Sequence, residues 1–240
     1  MVLRQVFTRH GRVAGHDEIA AVLGSEILSG ARPAGSRMPT AEELFERFGV
    51  SRVVMREVTK TLVAKGMIVA KSRVGTMVLP PEHWNWFDHD VLAWRVSLGF
   101  DQSFIEHLTQ MRKAVEPAAA ASAAEMRTQG DLADIREALA AMAHAANDRR
   151  GFVEADLDFH IAIAAASGNP LFRAFAAVVA TALDAYFSLS TPVTGAAMVD
   201  IVARHTRIAD AIEQRKPESA ARAMMAVIDD GISRARASAA

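Results

Sequence analysis

The sequence predicts a mainly α-helical protein built from two domains. Its 240 residues are 51% hydrophobic and 23% charged, which supplies enough apolar material for one large core or two modest ones. Apolar residues recur at helical spacing along most of the chain. Residues 1–80 hold 12 Lys and Arg against 7 Asp and Glu, whereas residues 81–240 hold 15 against 21. An excess of basic residues at the amino terminus is typical of a domain that binds nucleic acid. The sequence motifs of this region test that interpretation.

Several classes of protein are excluded by composition. The chain has no cysteine, so disulfides, thiolate metal sites and cysteine nucleophiles are absent. The opening residues 1–15 lack the apolar core of a signal peptide, and about 18 apolar residues never follow one another without interruption. We therefore expect a cytoplasmic protein with no membrane partner.

The first two helices are predicted from periodicity and capping. Apolar residues recur at helical spacing over residues 17–29, and Gly30 is placed to end that helix. After a loop rich in Pro and Gly, Thr40 and Glu43 form a capping-box pattern that opens a short second helix. The apolar residues expected to face inward from this helix are Leu44, Phe45 and Phe48.

A third helix and a hairpin complete the module at residues 1–80. Gly49 permits a tight turn, Ser51 is a natural N-cap, and the helix that follows ends near Lys65. The β-branched runs MIVAK and TMVLP flank SRVG, which favours a two-stranded hairpin. Helix, turn, helix and hairpin in this order predict a winged helix-turn-helix domain.

The stretch PAGSRMPTAEELFERFGVSRVVMREVTKTLVAKGMI resembles the DNA-binding domain of the GntR family of bacterial transcription regulators. The resemblance implies that the helix beginning at VSR enters the major groove of operator DNA. The residues that would then face DNA are Ser51, Arg52, Val53 and Arg56. On the wing, Lys71 and Arg73 would reach the phosphate backbone or the minor groove.

Spacing supports a DNA contact by the two arginines. Arg52 and Arg56 lie four residues apart on one helix face, and a guanidinium group can bond a guanine edge or a phosphate. The alternative is that both simply solvate a surface helix. Two departures from the family pattern prevent transfer of an operator sequence: Val53 replaces a small hydroxylic residue, and Glu42 stands where some members carry a base-reading arginine.

Residues 81–101 are predicted to be a linker. Pro80 and Pro81 end the wing strand, and all three tryptophans fall within eleven positions of the segment WNWFDHDVLAW. Aromatic residues so clustered favour a segment that fastens one domain to another over one that binds a ligand.

Residues 102–240 are predicted to form an all-α bundle. Alanine-rich helical segments are broken at residues 128–131, 146–151, 167–170, 190–195 and 214–217, which gives about six helices and no strand. The stretches DLDFHIAIAAASGNPLF and MRKAVEPAAAASAA resemble the FCD ligand-binding domain of the FadR subgroup of GntR regulators. That resemblance implies six or seven helices, effector binding and a homodimer.

A metal site is predicted within this bundle. Asp156 and His160 lie one helical turn apart, and His205 lies on a later helix. One carboxylate and two imidazoles would suit Zn, Ni, Mn or Fe(II), although a surface ion pair is the alternative. Many FCD domains use an aspartate and three histidines, and the position of the third histidine falls on Val227 here. A three-ligand site would leave water or an effector to complete the coordination.

Two further residues are predicted to bind an effector. By resemblance Arg112 points into the same cavity, where its guanidinium group could hold a carboxylate; an Arg112 to Glu116 ion pair is the alternative. Asn169 before Pro170 is a good helix start and is also a candidate ligand contact.

Together these features predict a transcription regulator, expected to be a repressor, that binds a palindromic operator as a dimer and is released by a small carboxylate. The linker resembles those of sugar-acid regulators, which favours an aldonate or a hexuronate. A metal-dependent enzyme acting through Asp156, His160 and His205 is the alternative, and a DNA-binding protein without any effector is a third. Turnover of a sugar acid would favour the enzyme, whereas salt-sensitive DNA binding without turnover would favour the regulator.

Overall fold

The protein is described by a computed structural model that covers residues 15–99, 101–145, 148–189 and 196–239. The chain divides into two compact units, Met1–Gly99 and Phe100–Ala240. The predicted break at residues 190–195 and the first fourteen residues of the opening segment lie outside the described residues.

The amino-terminal unit contains the predicted helices and hairpin. Its first elements are α1 (His16–Leu28), α2 (Ala41–Phe48), α3 (Arg52–Ala64), β1 (Ile68–Lys71) and β2 (Gly75–Val78). The two strands pair antiparallel with Ile68 opposite Val78. The winged helix-turn-helix predicted from the sequence is therefore confirmed.

Local capping fixes the boundaries of α2 and α3. The Thr40 hydroxyl accepts a hydrogen bond from the Glu43 amide at 3.2 Å, and the Glu43 carboxylate accepts one from the Thr40 amide at 2.7 Å. The Ser51 hydroxyl accepts from the Val54 amide at the start of α3. The prediction that the Phe45 side chain faces the core was wrong, since this residue is 56% exposed. Leu44 occupies the core-facing position of this short helix instead.

The tryptophan-rich segment packs on the amino-terminal unit itself. It contains α4 (His89–Ser97), and all three indole rings lie against the core formed by α1 and α3. Gly24 on α1 faces Trp94 so closely that a Cβ atom there would lie 2.2 Å from the ring. Lys65 is buried and donates to Asp88 at 2.6 Å and to Asp90 at 2.7 Å. The role of this segment in joining two domains remains a prediction.

The carboxy-terminal unit is all-α over its described residues. Its helices are α5 (Gln102–Met126), α6 (Gln129–His144), α7 (Arg149–Ala166), α8 (Pro170–Arg173), α9 (Ala176–Leu189), α10 (Ala196–Glu213) and α11 (Pro217–Ala239). The long helix α5 packs against α7, α9, α10 and α11, and buries Ala120, Ala123 and Ala124. Small side chains at these positions let neighbouring helices approach α5 closely. The fold class predicted from the sequence is confirmed.

One described stretch, Pro170–Phe187, is long and apolar enough to cross a membrane, with a mean hydropathy of 1.3. This stretch is divided between α8 and α9, and α9 packs against α5, α7 and α11. Such packing is typical of an apolar helix within a bundle.

Candidate nucleic-acid interface and effector site

The outer face of α3 is the candidate nucleic-acid interface. Met55, Val58 and Leu62 are buried on its inner face. The residues predicted to meet DNA from this helix are all exposed: Ser51, Arg52, Val53 and Arg56. Lys71 and Arg73 are exposed on the hairpin, and Arg73 has a φ of 61° at its turn. The structure therefore places each predicted DNA-facing side chain at the surface.

A groove beside α3 is lined by three arginines. Arg52 and Arg56 line it from the helix, and Arg37 lines it from the loop before α2. Arg37 forms an isolated β-bridge with Met77, which holds this loop against the wing. Sequence reasoning missed Arg37, because only pairing across the chain places it here. In the described part of the chain no carboxylate lies within ion-pair distance of these three arginines, so their guanidinium groups are available to a phosphate or a base.

The predicted metal ligands converge in the interior of the carboxy-terminal unit. Asp156 and His160 project from α7 and His205 from α10, and each residue is at most 4% exposed. One ligand atom from each lies within 4.8 Å of the other two. The Asp156 Oδ1 atom lies 2.9 Å from His205 Nε2 and 3.5 Å from His160 Nε2. A surface ion pair is thereby excluded for Asp156 and His160.

The orientation of His205 leaves one nitrogen available as a ligand. Its Nδ1 atom lies 2.8 Å from the Ile201 carbonyl oxygen, and because a carbonyl only accepts, Nδ1 must donate the proton. The Nε2 atom then faces Asp156, and it is the nitrogen that could bind a metal once it has lost its proton. This is the arrangement in which a backbone carbonyl orients a metal-binding histidine.

The three residues fit a divalent cation. Asp156 Oδ1, His160 Nδ1 and His205 Nε2 are buried and make no contact with hydrogen-bond geometry, although ionic partners lie close to each. Buried polar atoms are normally satisfied, and a cation bound by Asp156 Oδ1, His205 Nε2 and His160 Nε2 would satisfy the first two, whereas His160 Nδ1 faces Glu116. Val227, at the position of the family's fourth ligand, is buried beside the same cavity and offers no donor atom.

Arg112 is already paired inside this cluster. The Glu116 carboxylate accepts hydrogen bonds from Arg112 Nε and, at 3.2 Å, from Arg112 Nη2, and both residues are buried. The other side of Glu116 meets His160, with Oε2 and Nδ1 2.5 Å apart. The ion pair considered as an alternative for Arg112 is therefore present.

Charges of opposite sign alternate along this cluster. Burial favours a raised pKa for Glu116, but the charges of Arg112 and His160 lower that pKa to about 2. Burial acts against the charged form of His160, yet Glu116 and Asp156 raise its pKa to about 9. Burial also opposes the charge of Asp156, whose pKa nevertheless lies well below its ordinary value because His205 and His160 stand beside it.

A small cavity adjoins the cluster. Arg112, Asp156, His205 and Val227 line it, together with Arg234 from α11, which sequence reasoning missed. The centre of a water molecule can occupy about 30 Å³ of this cavity. That is room for about two waters, so a sugar acid would require the surrounding helices to move apart.

Asn169 caps α8. Its Oδ1 atom accepts a hydrogen bond from the Leu171 amide at 3.0 Å, which is the structural role expected of Asn before Pro. Asn169 is not among the described residues that line the cavity, and its contact with an effector stays a prediction.

A winged helix-turn-helix unit followed by a helical unit with a polar interior defines a bacterial transcription regulator. Residues 16–78 match the gntR family of bacterial regulatory proteins, and residues 107–230 match the FCD domain. The chain belongs to the GntR family and carries an FCD domain. Operator DNA and a small-molecule effector are the partners that this assignment implies.

Known relatives agree with this assignment. The galactonate operon transcriptional repressor of Escherichia coli K12 is 34% identical over 212 residues, which cover 88% of this chain and 93% of that protein. The uncharacterized HTH-type transcriptional regulator YieP of the same organism is also 34% identical over 212 residues, and the match covers 88% of this chain and 90% of that protein. The solved structure of E. coli McbR/YncC has a similar fold, with a TM-score of 0.57 and 16% sequence identity. The match covers 95% of this chain and 100% of the McbR/YncC chain. The gntR family and the two curated relatives are transcription regulators, so the enzyme alternative is not favoured.

Proposed function

We propose that this protein is a homodimeric repressor that binds a palindromic operator and releases it when a sugar acid binds the FCD domain. The observation that carries the proposal is the buried cluster of Asp156, His160 and His205 beside Arg112. It places three potential metal ligands and a guanidinium group in one buried region, where a bound metal and Arg112 could together meet a carboxylate, in the same chain as a winged helix-turn-helix domain.

The DNA-binding part of the proposal rests on α3 and the wing. Arg52 and Arg56 would bond base edges in the major groove, and Ser51 at the amino end of α3 would meet a phosphate. Lys71 and Arg73 would contact the backbone or the minor groove. A single such domain reads few base pairs, whereas a two-fold dimer reads two half-sites and matches a palindrome.

The effector part rests on the interior cluster. Asp156, His160 and His205 would hold a Zn, Ni, Mn or Fe ion, which supplies a positive charge for an anionic oxygen when bound. Arg112 would bond the effector carboxylate, which must compete with Glu116 for the guanidinium group. A relative that represses a galactonate operon supports an aldonate or a hexuronate as the effector.

Release of DNA follows from linkage between the two sites. An effector that prefers the arrangement unable to bind DNA weakens operator affinity by its difference in affinity for the two arrangements, about 1 to 3 kcal/mol in typical cases. The small cavity gives a physical reason for such a preference, because filling it requires helix movement.

The test begins with the full chain and a random DNA library, from which the protein selects its operator. Fluorescence anisotropy then follows operator binding while aldonates and hexuronates are added singly. We expect at least one acid to weaken binding about 5- to 150-fold and to raise the melting temperature of the DNA-free protein. Selection of an operator that no acid releases would contradict the effector part and favour a regulator without this ligand.

A further inference from the structure

We propose that Val53 contacts the C5-methyl group of a thymine in each operator half-site and so specifies that base. This inference rests on the proposed DNA binding by α3. It assigns a reading function to a side chain that can make no hydrogen bond.

The position of Val53 leaves it no packing role within its own unit. It is 70% exposed, and it lies two residues before Met55, which is buried. Two residues correspond to about 200° around a helix, so the two side chains leave on opposite faces. Val53 therefore cannot join the core without rotation of α3.

The neighbours of Val53 are the two arginines. Arg52 precedes it directly, and Arg56 follows at three residues, which places Arg56 on the same face of the helix as Val53. Arg52 and Arg56 also line the groove next to the wing. Exposure alone would not distinguish Val53 from Val63, which is 44% exposed on the same helix. The difference is that Val63 lies near the far end of α3, eleven residues after Arg52 and seven after Arg56.

The chemistry of the major groove then selects the partner. Guanine, cytosine and adenine present polar atoms there, whereas thymine adds an apolar methyl group. Arginine can satisfy the polar atoms, but valine gains free energy only by removing apolar surface from water. The methyl group of a thymine next to the base contacted by Arg56 is the partner that fits.

The experiment uses the full chain and the operator it selects from a random library. Each thymine is replaced in turn by deoxyuridine, symmetrically in both half-sites, which removes one methyl group and keeps every hydrogen-bonding atom. At one thymine position, we expect wild-type affinity to fall about fourfold for each half-site, as loss of one buried methyl group predicts. Val53→Ala should bind more weakly and no longer distinguish thymine from deoxyuridine there, whereas Val63→Ala should behave as wild type.

Two results would overturn the inference: wild-type binding that is insensitive to deoxyuridine at every position, or a Val53→Ala protein that keeps the wild-type sensitivity. Failure to select any sequence would instead remove the proposed DNA-binding function and the inference with it. Thermal melting of both variants checks that they fold, which their exposed positions favour.

Discussion

Both carboxylate oxygens of Glu116 bond the guanidinium group of Arg112 in the interior of the FCD domain. Neither side chain has appreciable contact with solvent. Glu116 thus occupies the place at Arg112 that an effector carboxylate would need. Competition between an internal and an external carboxylate is a direct consequence of this pair.

Replacement of Glu116 by Gln should make this competition visible. We expect Glu116→Gln to reduce the free energy of unfolding by about 3 kcal/mol, because Arg112 would be left as a buried charge without its counterion. An effector carboxylate would restore the counterion, so the acid that binds the wild type should raise the melting temperature of Glu116→Gln by a larger increment. Calorimetry with and without the acid measures both effects. Equal increments in the two proteins would show that the effector does not approach Arg112 in this way.

His160 provides a test of the interior cluster. We expect His160→Ala to bind operator as the wild type does and to lose most of its response to the acid, since one ligand atom of the cluster is removed. Metal analysis of protein purified without chelator or histidine tag should give about one ion per wild-type chain and much less for the variant. His107→Ala, an exposed histidine on α5, is the matched control. Wild-type protein with almost no metal, and no uptake of added Zn or Ni, would remove the metal from the proposal.

The arginines beside the wing should make two kinds of DNA contact, with Arg52 bonding a base and Arg37 bonding a phosphate. Arg52→Ala should reduce discrimination between operator and unrelated DNA by about 1 to 3 kcal/mol, because a base contact is lost. Arg37→Ala should weaken binding to all sequences alike and reduce the salt dependence by about one phosphate contact. Arg150→Ala, on the exposed surface of α7, is the control. Anisotropy titrations at several salt concentrations distinguish the two patterns, and unchanged discrimination by Arg52→Ala would contradict the placement of α3 in the groove.

The ion pairs of Lys65 should make the stability of the amino-terminal unit depend on pH. The hydrogen bond from Lys65 lowers the pKa of Asp90, so this contribution is present above the ordinary pKa of 3.8 and is lost as the pH falls below it. Burial opposes the charge of Lys65, but Asp88 and Asp90 raise its pKa, so its contribution persists at pH 10.5 and is lost above that value.

Lys65→Met removes these contacts and leaves an apolar side chain of similar length. The difference in unfolding free energy between wild type and variant should be about 1 kcal/mol near neutral pH and should shrink at both extremes. Tryptophan fluorescence reports this unit selectively, because all three tryptophans belong to it. Lys60→Met, on the exposed face of α3, is the control. A difference that does not vary with pH would show that the ion pairs contribute nothing.

Local signals in the sequence were sufficient for the winged helix-turn-helix. The capping pair Thr40 and Glu43 and the N-cap Ser51 act within one helical turn, so their effect can be read from neighbouring residues. The exposure of Phe45 could not be predicted in this way, because it depends on how α2 is oriented against the core and therefore on whether Leu44 or Phe45 is buried. The same holds for Trp94, whose docking site on α1 exists only where the chain folds back on Gly24.

The interior cluster was only partly predictable from the sequence. The four-residue spacing of Asp156 and His160 indicates a shared helix face, but no spacing in the sequence shows that His205, on a later helix, meets them. The contact of His160 with Glu116 joins two distant helices, and no periodicity within either helix specifies it. Packing of α5 against α7 brings these two side chains together.

Gly24 allows a final test, in which two opposing effects can be compared. Alanine at an interior helix position is favoured over glycine by about 1 kcal/mol. A Cβ atom at Gly24 would lie 2.2 Å from the Trp94 ring, however, and such overpacking destabilises by about 1 to 3 kcal/mol. Because the ring packs against the core of this unit, we expect overpacking to dominate and Gly24→Ala to lower the melting temperature reported by tryptophan fluorescence. In α6, a Cβ atom at Gly130 would meet nothing closer than 3.6 Å, so Gly130→Ala should leave the thermal stability of the protein unchanged or raise it. A Gly24→Ala protein that is more stable than wild type would show that Trp94 can move away from α1 at little cost.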